Sequence, residues 1–179
     1  MRDEPALLQR ARSLNREALA TIFNRYAPEI YRYVYLLSND EEASDSVVGN
    51  TFHTLLEQFS SGAGPEMNLR SSIFQIAYCQ LADHARELRH VMDLEAVIEA
   101  PLSLRAASTK TELYKDTLLM KLLSAINHNL SELQRHVIML RFLEGFSLQE
   151  TGIIISKEVD QVKFIENSGI TRLCKSLYP

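Results

Sequence analysis

Apolar residues recur every three or four positions along most of this chain, which is the spacing of one face of an amphipathic α-helix. Between Leu7 and Arg89 the pattern is broken by one Gly- and Pro-containing stretch, SSGAGPEMN at 60–68. The longest stripe predicts a helix from Arg16 that is bent or divided at Pro28, because proline lacks the N–H of an interior helical hydrogen bond. The residues that this helix would bury are Ala18, Ile22, Tyr26, Ile30, Tyr33 and Leu37.

Two further helices are predicted in the first half of the chain from the signals that flank them. Asn39 or Asp40 would cap a helix whose first turn is acidic, where the helix dipole favours negative charge. After the loop at 60–68, the segment 69–89 returns to helical spacing, so we expect a long helix there. The first half is therefore predicted to be all-helical.

A stretch without regular periodicity separates the two halves. Residues 91–111 include Pro101 and several small polar residues, so we interpret them as a flexible linker with a short helix near 94–99. On either side lie segments long enough for small helical cores, residues 1–90 and 112–179. The sequence therefore predicts an all-α protein of two small helical domains joined by a flexible linker.

The second domain contains the pattern of a helix-turn-helix. Ser131 and Ser147 each begin a capping box, in which a serine and the Glu or Gln three residues later cap the helix start. Gly145 is a natural helix stop between them. The segment SLQETGIIISKEVDQVKFIENSG at 147–169 then predicts a helix, a tight turn and a second helix, the arrangement that places its second helix in the DNA major groove.

The charge distribution argues against a protein whose only task is to hold nucleic acid. The 179 residues carry 19 Lys and Arg against 23 Asp and Glu, a net charge of −4. In the second predicted helix of the pair, Glu158, Asp160 and Glu166 stand against Lys157 and Lys163. Because released counterions supply most sequence-independent affinity for DNA, this domain alone is expected to bind DNA weakly.

The sequence shows no arrangement of side chains typical of catalysis or metal binding. Cys79 and Cys174 lack Cys-X-X-Cys spacing and are interpreted as reduced core thiols, with a redox or structural pair as the alternative. The histidines form no ligand pair, so no metal or other cofactor is expected, and the chain is not predicted to be an enzyme. No apolar run could cross a membrane and no signal pattern opens the chain, which predicts a cytoplasmic protein without membrane insertion.

Three motifs resemble conserved regions of a known family. LSELQRHVIMLRFLEGFSLQETG at 130–152 is similar to the family pattern LPERQREVLLLRYLEGLSYEEIA. LRSSIFQIAYCQLADHAR at 69–86 is similar to LRAWLYRIARNLALDHLR, and SVVGNTF at 46–52 is similar to DLVQETF. In this order and at this separation, they resemble the extracytoplasmic-function sigma factors, the compact bacterial class that has only the second and fourth sigma regions.

The resemblance implies that the chain binds core RNA polymerase and directs promoter recognition and transcription initiation. The DLVQETF-like helix would dock on the β′ clamp helices, and the second domain on the β flap. The first domain would engage the minus-10 element and the helix-turn-helix the minus-35 element of promoter DNA. The resemblance also implies an anti-sigma factor as a partner. The polymerase-binding candidates are Asp45, Val48 and Asn50.

The same resemblance supplies the DNA-binding candidates. Promoter melting requires that a base be extruded into a protein pocket, and stacking and polar contacts offset the cost. The loop at 60–68 and the helix after it are placed to form that pocket. For Tyr78 a stacking role competes with an ordinary packing role, and for the residues of the second domain a phosphate or base contact competes with a solvated helix face. The candidates are Asn68, Arg70, Tyr78, Lys157, Gln161 and Lys163.

Departures from the family pattern favour an alternative function. Gln75, Tyr78, Ile165 and Ser168 stand where basic residues are common in the family, whereas most apolar positions follow the pattern. Such a chain could be a sigma-like interaction module that binds polymerase or an anti-sigma partner without productive promoter reading.

Overall fold

A computed structural model describes residues 4–65, 68–92 and 117–177 of the chain. Within these ranges every regular element is helical, which confirms the predicted all-α class. The short helix expected near 94–99 and most of the linker lie outside the described residues. The helices are α1 (Glu4–Arg12), α2 (Arg16–Ser38), α3 (Glu41–Ser60), α4 (Leu69–Met92), α5 (Thr117–Asn129), α6 (Glu132–Ile138), α7 (Leu148–Ile155) and α8 (Val159–Leu177).

Helix α2 passes through Pro28 as one helix, so of the two predicted alternatives, a bend or a division, the division is wrong. Asn15 caps its start, and Asn39 ends it in the left-handed conformation, at φ 54°. Tyr26 and Ile30, on either side of the proline, are 1% and 0% exposed. The free energy gained by burying this apolar stripe offsets the loss of the backbone hydrogen bond that proline cannot donate.

The cap of α3 is Asp40 rather than Asn39. The Asp40 carboxylate accepts a hydrogen bond from the Ala43 N–H at 3.1 Å. Asn39 is unsuited to this role because its left-handed backbone already closes α2, whereas an N-cap residue has extended backbone. The two helices are thus joined by Asn39 and Asp40 alone, and they pack against each other.

Both predicted capping boxes are present in the second half of the chain. The Ser131 hydroxyl accepts from the Gln134 N–H, and the Gln134 side chain accepts from the Ser131 N–H. Ser147 and Glu150 make the same reciprocal pair at the start of α7. Gly145 lies between the two units with φ +71°, a conformation that glycine adopts without strain.

A π-helical turn, Met139–Leu143, follows α6 directly. Its wider hydrogen bond runs from the Glu144 N–H to the Met139 carbonyl at 3.0 Å. A bond from the Phe146 N–H to the Leu140 carbonyl, also at 3.0 Å, closes the helix end around Gly145. The π-helical turn holds one residue more than an α-helical turn. The residue that follows it directly is Glu144, whose side chain is fully buried.

A close approach of backbone atoms forms the turn between α7 and α8. A Cβ atom added to Gly152 would lie 2.6 Å from the carbonyl oxygen of Lys157, so only glycine fits there. Ser156 adopts the left-handed conformation with φ 55° and closes α7. The observed helices and turn confirm the predicted helix-turn-helix.

The two halves of the chain share one hydrophobic core. Phe74 of α4 meets Phe146 edge-to-face, with ring centroids 4.8 Å apart, and Tyr33 of α2 lies 5.5 Å from Phe74. Tyr26 and Tyr33 are buried, which confirms their prediction as core residues. The domain boundaries at 90 and 112 remain a prediction, because they fall beside residues that the structure does not describe.

The cysteines differ from the sequence interpretation. Cys79 on α4 and Cys174 on α8 are both exposed and form no disulfide, so the prediction of core thiols was wrong. Their neighbours Ala77 and Leu173 take the buried positions on these helices. Residue type alone favoured burial, but the helical face decided the outcome.

Gly152→Ala is expected to lower the free energy of unfolding of the full chain by about 1–3 kcal/mol, because the new Cβ forces the Lys157 carbonyl away. Gly49→Ala is the matched control, since Gly49 lies on the exposed side of α3 with nothing within 4 Å of its added Cβ. Gly49→Ala should raise the free energy of unfolding by about 0.5–1 kcal/mol, because alanine has the higher helix propensity. Urea unfolding measures both, and equal stabilisation by the two changes would contradict the close approach.

Candidate polymerase and nucleic-acid interface

Two of the three polymerase-binding candidates lie at the surface of α3. Asp45 and Asn50 are exposed, whereas Val48 is 9% exposed and packs in the core. The buried face of α3 includes Val47, Val48 and Phe52, so Val48 points towards the other helices of its own half. Of the three candidates, only Asp45 and Asn50 therefore offer polar groups to a docking partner.

An apolar cleft of about 340 Å³ lies beside this surface, between the α1–α2 turn, α2 and α3. Phe23 and Phe52 meet within it, with ring centroids 4.8 Å apart. Asp45, Phe52 and Leu56 are spaced so that they fall on one side of α3. Arg16 is the one charged residue among those that line the cleft, and the other lining residues are apolar. Such a cleft suits the apolar face of a partner helix.

The candidates for the extruded-base pocket, Asn68 and Arg70, lie at the start of α4 and contact the second half of the chain. The Asn68 amide donates to a carboxylate oxygen of Glu150 at 3.3 Å. The Arg70 guanidinium donates to the Glu29 carboxylate at 2.8 Å and to the Glu144 backbone carbonyl at 3.0 Å. Both polar side chains are therefore engaged within the protein.

Glu144 is the centre of these contacts. Its side chain is 0% exposed, and Arg32 donates to both of its carboxylate oxygens, the shorter distance being 2.7 Å. Arg70 reaches the same carboxylate at 3.3 Å, and its guanidinium lies over the Phe146 ring, 4.2 Å from the centroid. Burial raises the pKa of Glu144, and the hydrogen bonds and charge of Arg32 oppose that shift.

Tyr78 packs against a buried histidine at the same contact. His136 of α6 shares a hydrogen bond of 2.6 Å with the Tyr33 hydroxyl, and the Tyr78 ring meets His136 edge-on at 4.9 Å. Desolvation lowers the pKa of His136 to about 4, so the imidazole is neutral at pH 7. Burial likewise raises the pKa of Tyr33. Tyr78 is thus a half-buried packing partner in this arrangement.

The three candidates of the helix-turn-helix lie on its outer surface. Lys157 is exposed in the turn between α7 and α8. The Gln161 side chain folds back to accept a hydrogen bond from the Glu158 N–H at 3.1 Å, which caps the start of α8. The Lys163 ammonium lies 3.5 Å from the Asp160 carboxylate. Of the three candidates, Lys157 and Lys163 retain a positive charge that faces solvent.

Two departures from the family pattern have structural roles. Ile165 is partly buried against the hydrophobic core, and the Ser168 hydroxyl accepts a hydrogen bond from the Gln134 amide at 2.9 Å. Glu166 is also used internally, since it pairs with Arg141 at 2.6 Å. These side chains hold α8 against α6 and the π-helical turn, so their replacement of basic residues is compensated by packing.

Comparison with known proteins identifies the relationship. Residues 128–175 match the family model of sigma-70 region 4. The ECF RNA polymerase sigma factor BldN of Streptomyces coelicolor is 21% identical over 171 residues, which cover 96% of this chain and 64% of BldN. The chain is thus similar to sigma-70 region 4 at 128–175 and, over most of its length, to an extracytoplasmic-function sigma factor. It spans about two thirds of the length of the curated relative that it matches.

Two solved structures share the fold of this chain. The sigma factor RpoE in complex with the anti-sigma factor NepR, from Bartonella quintana, matches with a TM-score of 0.70 and 21% identity over 88% of this chain and 95% of RpoE. CnrH in complex with the cytosolic domain of CnrY matches with a TM-score of 0.72 and 20% identity, over 97% of this chain and 96% of CnrH. At these identities the likeness establishes the fold.

The candidate residues predicted from the sequence thus fall into separate groups. Asn68, Arg70 and Tyr78 lie at the seam, the contact surface of α2 and α4 with α6, the π-helical turn and α7. The polymerase and helix-turn-helix candidates lie elsewhere on the surface. Sequence reasoning missed the partners Glu144, Arg32 and His136, which lie 74, 112 and 103 positions from the residues they bind. The one sequence signal that could have indicated these partners is the position of each charged or ionisable residue inside an apolar run.

In the ranges that the structure describes, no three His, Cys, Asp or Glu side chains come together as the ligands of a metal ion would. No helix in the same ranges combines the length and the apolar character that crossing a bilayer needs.

The buried His136 predicts a loss of stability in mild acid. Its pKa is about 4 in the folded chain and about 6.5 for a solvated histidine, so the unfolded chain binds the additional proton between these limits. The stabilisation is complete above pH 6.5 and is lost as the pH falls towards 4, by up to roughly 3 kcal/mol. Urea unfolding at pH 7, 6 and 5 measures this loss.

His136→Gln is the control for the pH series, because glutamine does not titrate. The raised pKa of Glu144 acts in the opposite direction, since protonation of that group in acid favours the folded chain. The plot of unfolding free energy against pH has a slope for each of the two proteins. The difference between these slopes therefore gives the contribution of His136. Parallel slopes would show that His136 does not cause the pH dependence.

Proposed function

We propose that this chain is a sigma factor that binds core RNA polymerase and directs it to a class of promoters. The observation that carries the proposal is the region 4 helix-turn-helix at 128–175, joined in one chain to a helical first half within the fold of RpoE. In this proposal α8 enters the major groove at the minus-35 element, and the second domain also meets the β flap. Bond formation belongs to the polymerase, and this chain has no enzymatic role.

Core polymerase would dock on the first half of the chain. Asp45 and Asn50 supply polar contacts, and the cleft beside Phe52 supplies apolar area for the β′ clamp helices. Buried apolar area provides most of the affinity of such contacts, while charged groups at the edge fix orientation and the rate of encounter. The core position of Val48 fits a supporting role beneath this surface.

The minus-10 contacts require the two halves to separate. Asn68, Arg70 and Tyr78 are occupied at the seam, so an extruded base could meet them only after their present partners have moved away. Polymerase and promoter DNA would supply the differential binding energy that favours the open arrangement. An anti-sigma partner, like the NepR that is bound to RpoE, would favour the closed one.

A second candidate function rests on the same contacts. Arg70 and Asn68 already have carboxylate partners, and Asp160 lies next to Lys163 on the exposed side of α8. A chain that never opens would bind polymerase or an anti-sigma partner as a sigma-like interaction module without productive promoter reading. Experiment distinguishes the two functions.

The first test combines the purified full chain with core RNA polymerase from the same organism. Sheared genomic DNA is transcribed, and the 5′ ends of the RNA are sequenced. The proposal expects discrete new starts that share two upstream elements, because each half of the chain recognises one element. Co-purification with polymerase without such starts would favour the interaction module, and failure to bind polymerase would contradict both functions.

Arg70→Ala and Arg32→Ala form a matched pair that separates a DNA role from a seam role. Each removes one guanidinium from Glu144, but only Arg70 is a candidate for the melted promoter. We expect Arg70→Ala to lower promoter opening about tenfold or more, the loss typical of a charge-assisted contact. Arg32→Ala should retain opening within about twofold. Permanganate footprinting of the melted DNA measures both, and equal effects would remove Arg70 from the candidates.

A further inference from the structure

Phe164 has the most exposed large apolar side chain of the described residues, with 75% of its area accessible. A single exposed apolar residue needs no special explanation, so exposure alone assigns no role. The position of Phe164 is more informative. It lies in the second turn of α8, between the charged Lys163 and the partly buried Ile165.

The helix geometry directs Phe164 away from the body of the domain. Val162, Gly169 and Leu173 are the buried residues of α8 and define its inner face. At 3.6 residues per turn, Phe164 lies about 200° around the axis from Val162, nearly opposite that face. In a helix-turn-helix, the outward face near the start of the second helix is the face that meets the base edges.

The chemistry of a phenyl ring restricts what it can recognise there. Phenylalanine has no hydrogen-bonding group, so it cannot satisfy the donors and acceptors of a G·C pair. The one apolar group on the major-groove edges is the C5-methyl of thymine, and apolar side chains are its usual contacts. We propose that Phe164 reads a T·A pair in the upstream promoter element through the thymine methyl group, an inference that rests on the proposed function.

The neighbours of Phe164 favour this mode of reading over an arginine-guanine contact. Asp160 lies one turn earlier on the same side of α8 and pairs with Lys163 at 3.5 Å, which lowers the net positive charge around the ring. Ile165 stands where the family commonly has arginine, and its packing against the core prevents a reach into the groove. Phe164 is therefore the apolar reader on this face, between the exposed polar side chains of Gln161 and Asn167.

Replacement of thymidine by deoxyuridine tests the proposal directly. Deoxyuridine lacks the methyl group and keeps every hydrogen-bonding group of the base. The probe is a promoter fragment from the genomic transcription experiment, with each thymidine of the upstream element replaced in turn. At one position this replacement should lower the affinity of the wild-type holoenzyme for the promoter about fourfold, the factor associated with burial of one methyl group.

Phe164→Ala, measured with and without deoxyuridine, completes a double-mutant cycle between the phenyl ring and the thymine methyl group. Ile170→Ala is the matched control on the same helix. Phe164→Ala should bind the unmodified promoter about fourfold or more weakly and should show no further loss when that thymidine is replaced. Ile170 is 36% exposed and lies off the outward face, so Ile170→Ala should keep the deoxyuridine effect. Binding of each variant to core polymerase is measured in parallel.

Three results would overturn the inference. Wild-type holoenzyme could be insensitive to deoxyuridine at every position, or Phe164→Ala could keep the full sensitivity. Weaker binding of Phe164→Ala to core polymerase, with equal losses on all promoters, would make Phe164 a protein contact. Each of these leaves the proposed function intact, whereas the absence of discrete starts in the genomic experiment would remove both proposals.

Discussion

The arrangement of this molecule depends on one fully buried carboxylate, that of Glu144. A charged group without water is stable only when cations and hydrogen bonds replace its hydration. The second half of the chain does not supply those cations, since Arg32 and Arg70 both belong to the first half. The burial of Glu144 therefore requires the two halves to be in contact, and the aromatic rings of Phe74 and Phe146 fill the space around the charges.

The seam combines groups with opposing preferences. Breaking a buried ion pair costs several kcal/mol when one charge stays buried, but far less when both charges return to water together. Separation of the two halves exposes Glu144 and both arginines at once, so the rehydration of the charges offsets much of the lost attraction. The neutral His136 and Tyr33 also regain hydration on opening. A polar seam can thus hold two halves together and still release them under the influence of a partner.

Sequence reasoning succeeded where the signal is local. Ser131 and Ser147 mark helix starts because a cap involves residues three positions apart, and the apolar stripe of α2 reflects the helical period. Where distant packing decides the outcome, it left the continuity of α2 through Pro28 open and was wrong about the exposure of Cys79. The seam could not be predicted, because its contacts join residues about a hundred positions apart. The local patterns of caps and apolar stripes do not encode how the two halves meet.

The π-helical turn at 139–143 lets this segment hold one residue more than a continuous α-helix would. Because its hydrogen bond closes over five residues instead of four, the turn takes up that residue while the side chains after it keep nearly the direction that they would have without it. Deletion of one residue from the turn would therefore return it to α-helical geometry and leave the Glu144 carboxylate directed towards Arg32 and Arg70. The same deletion inside α2 would rotate every later residue of that helix by about 100° around its axis. The contact between the halves can thus survive the loss of a single codon at this turn but not in the helices that it joins.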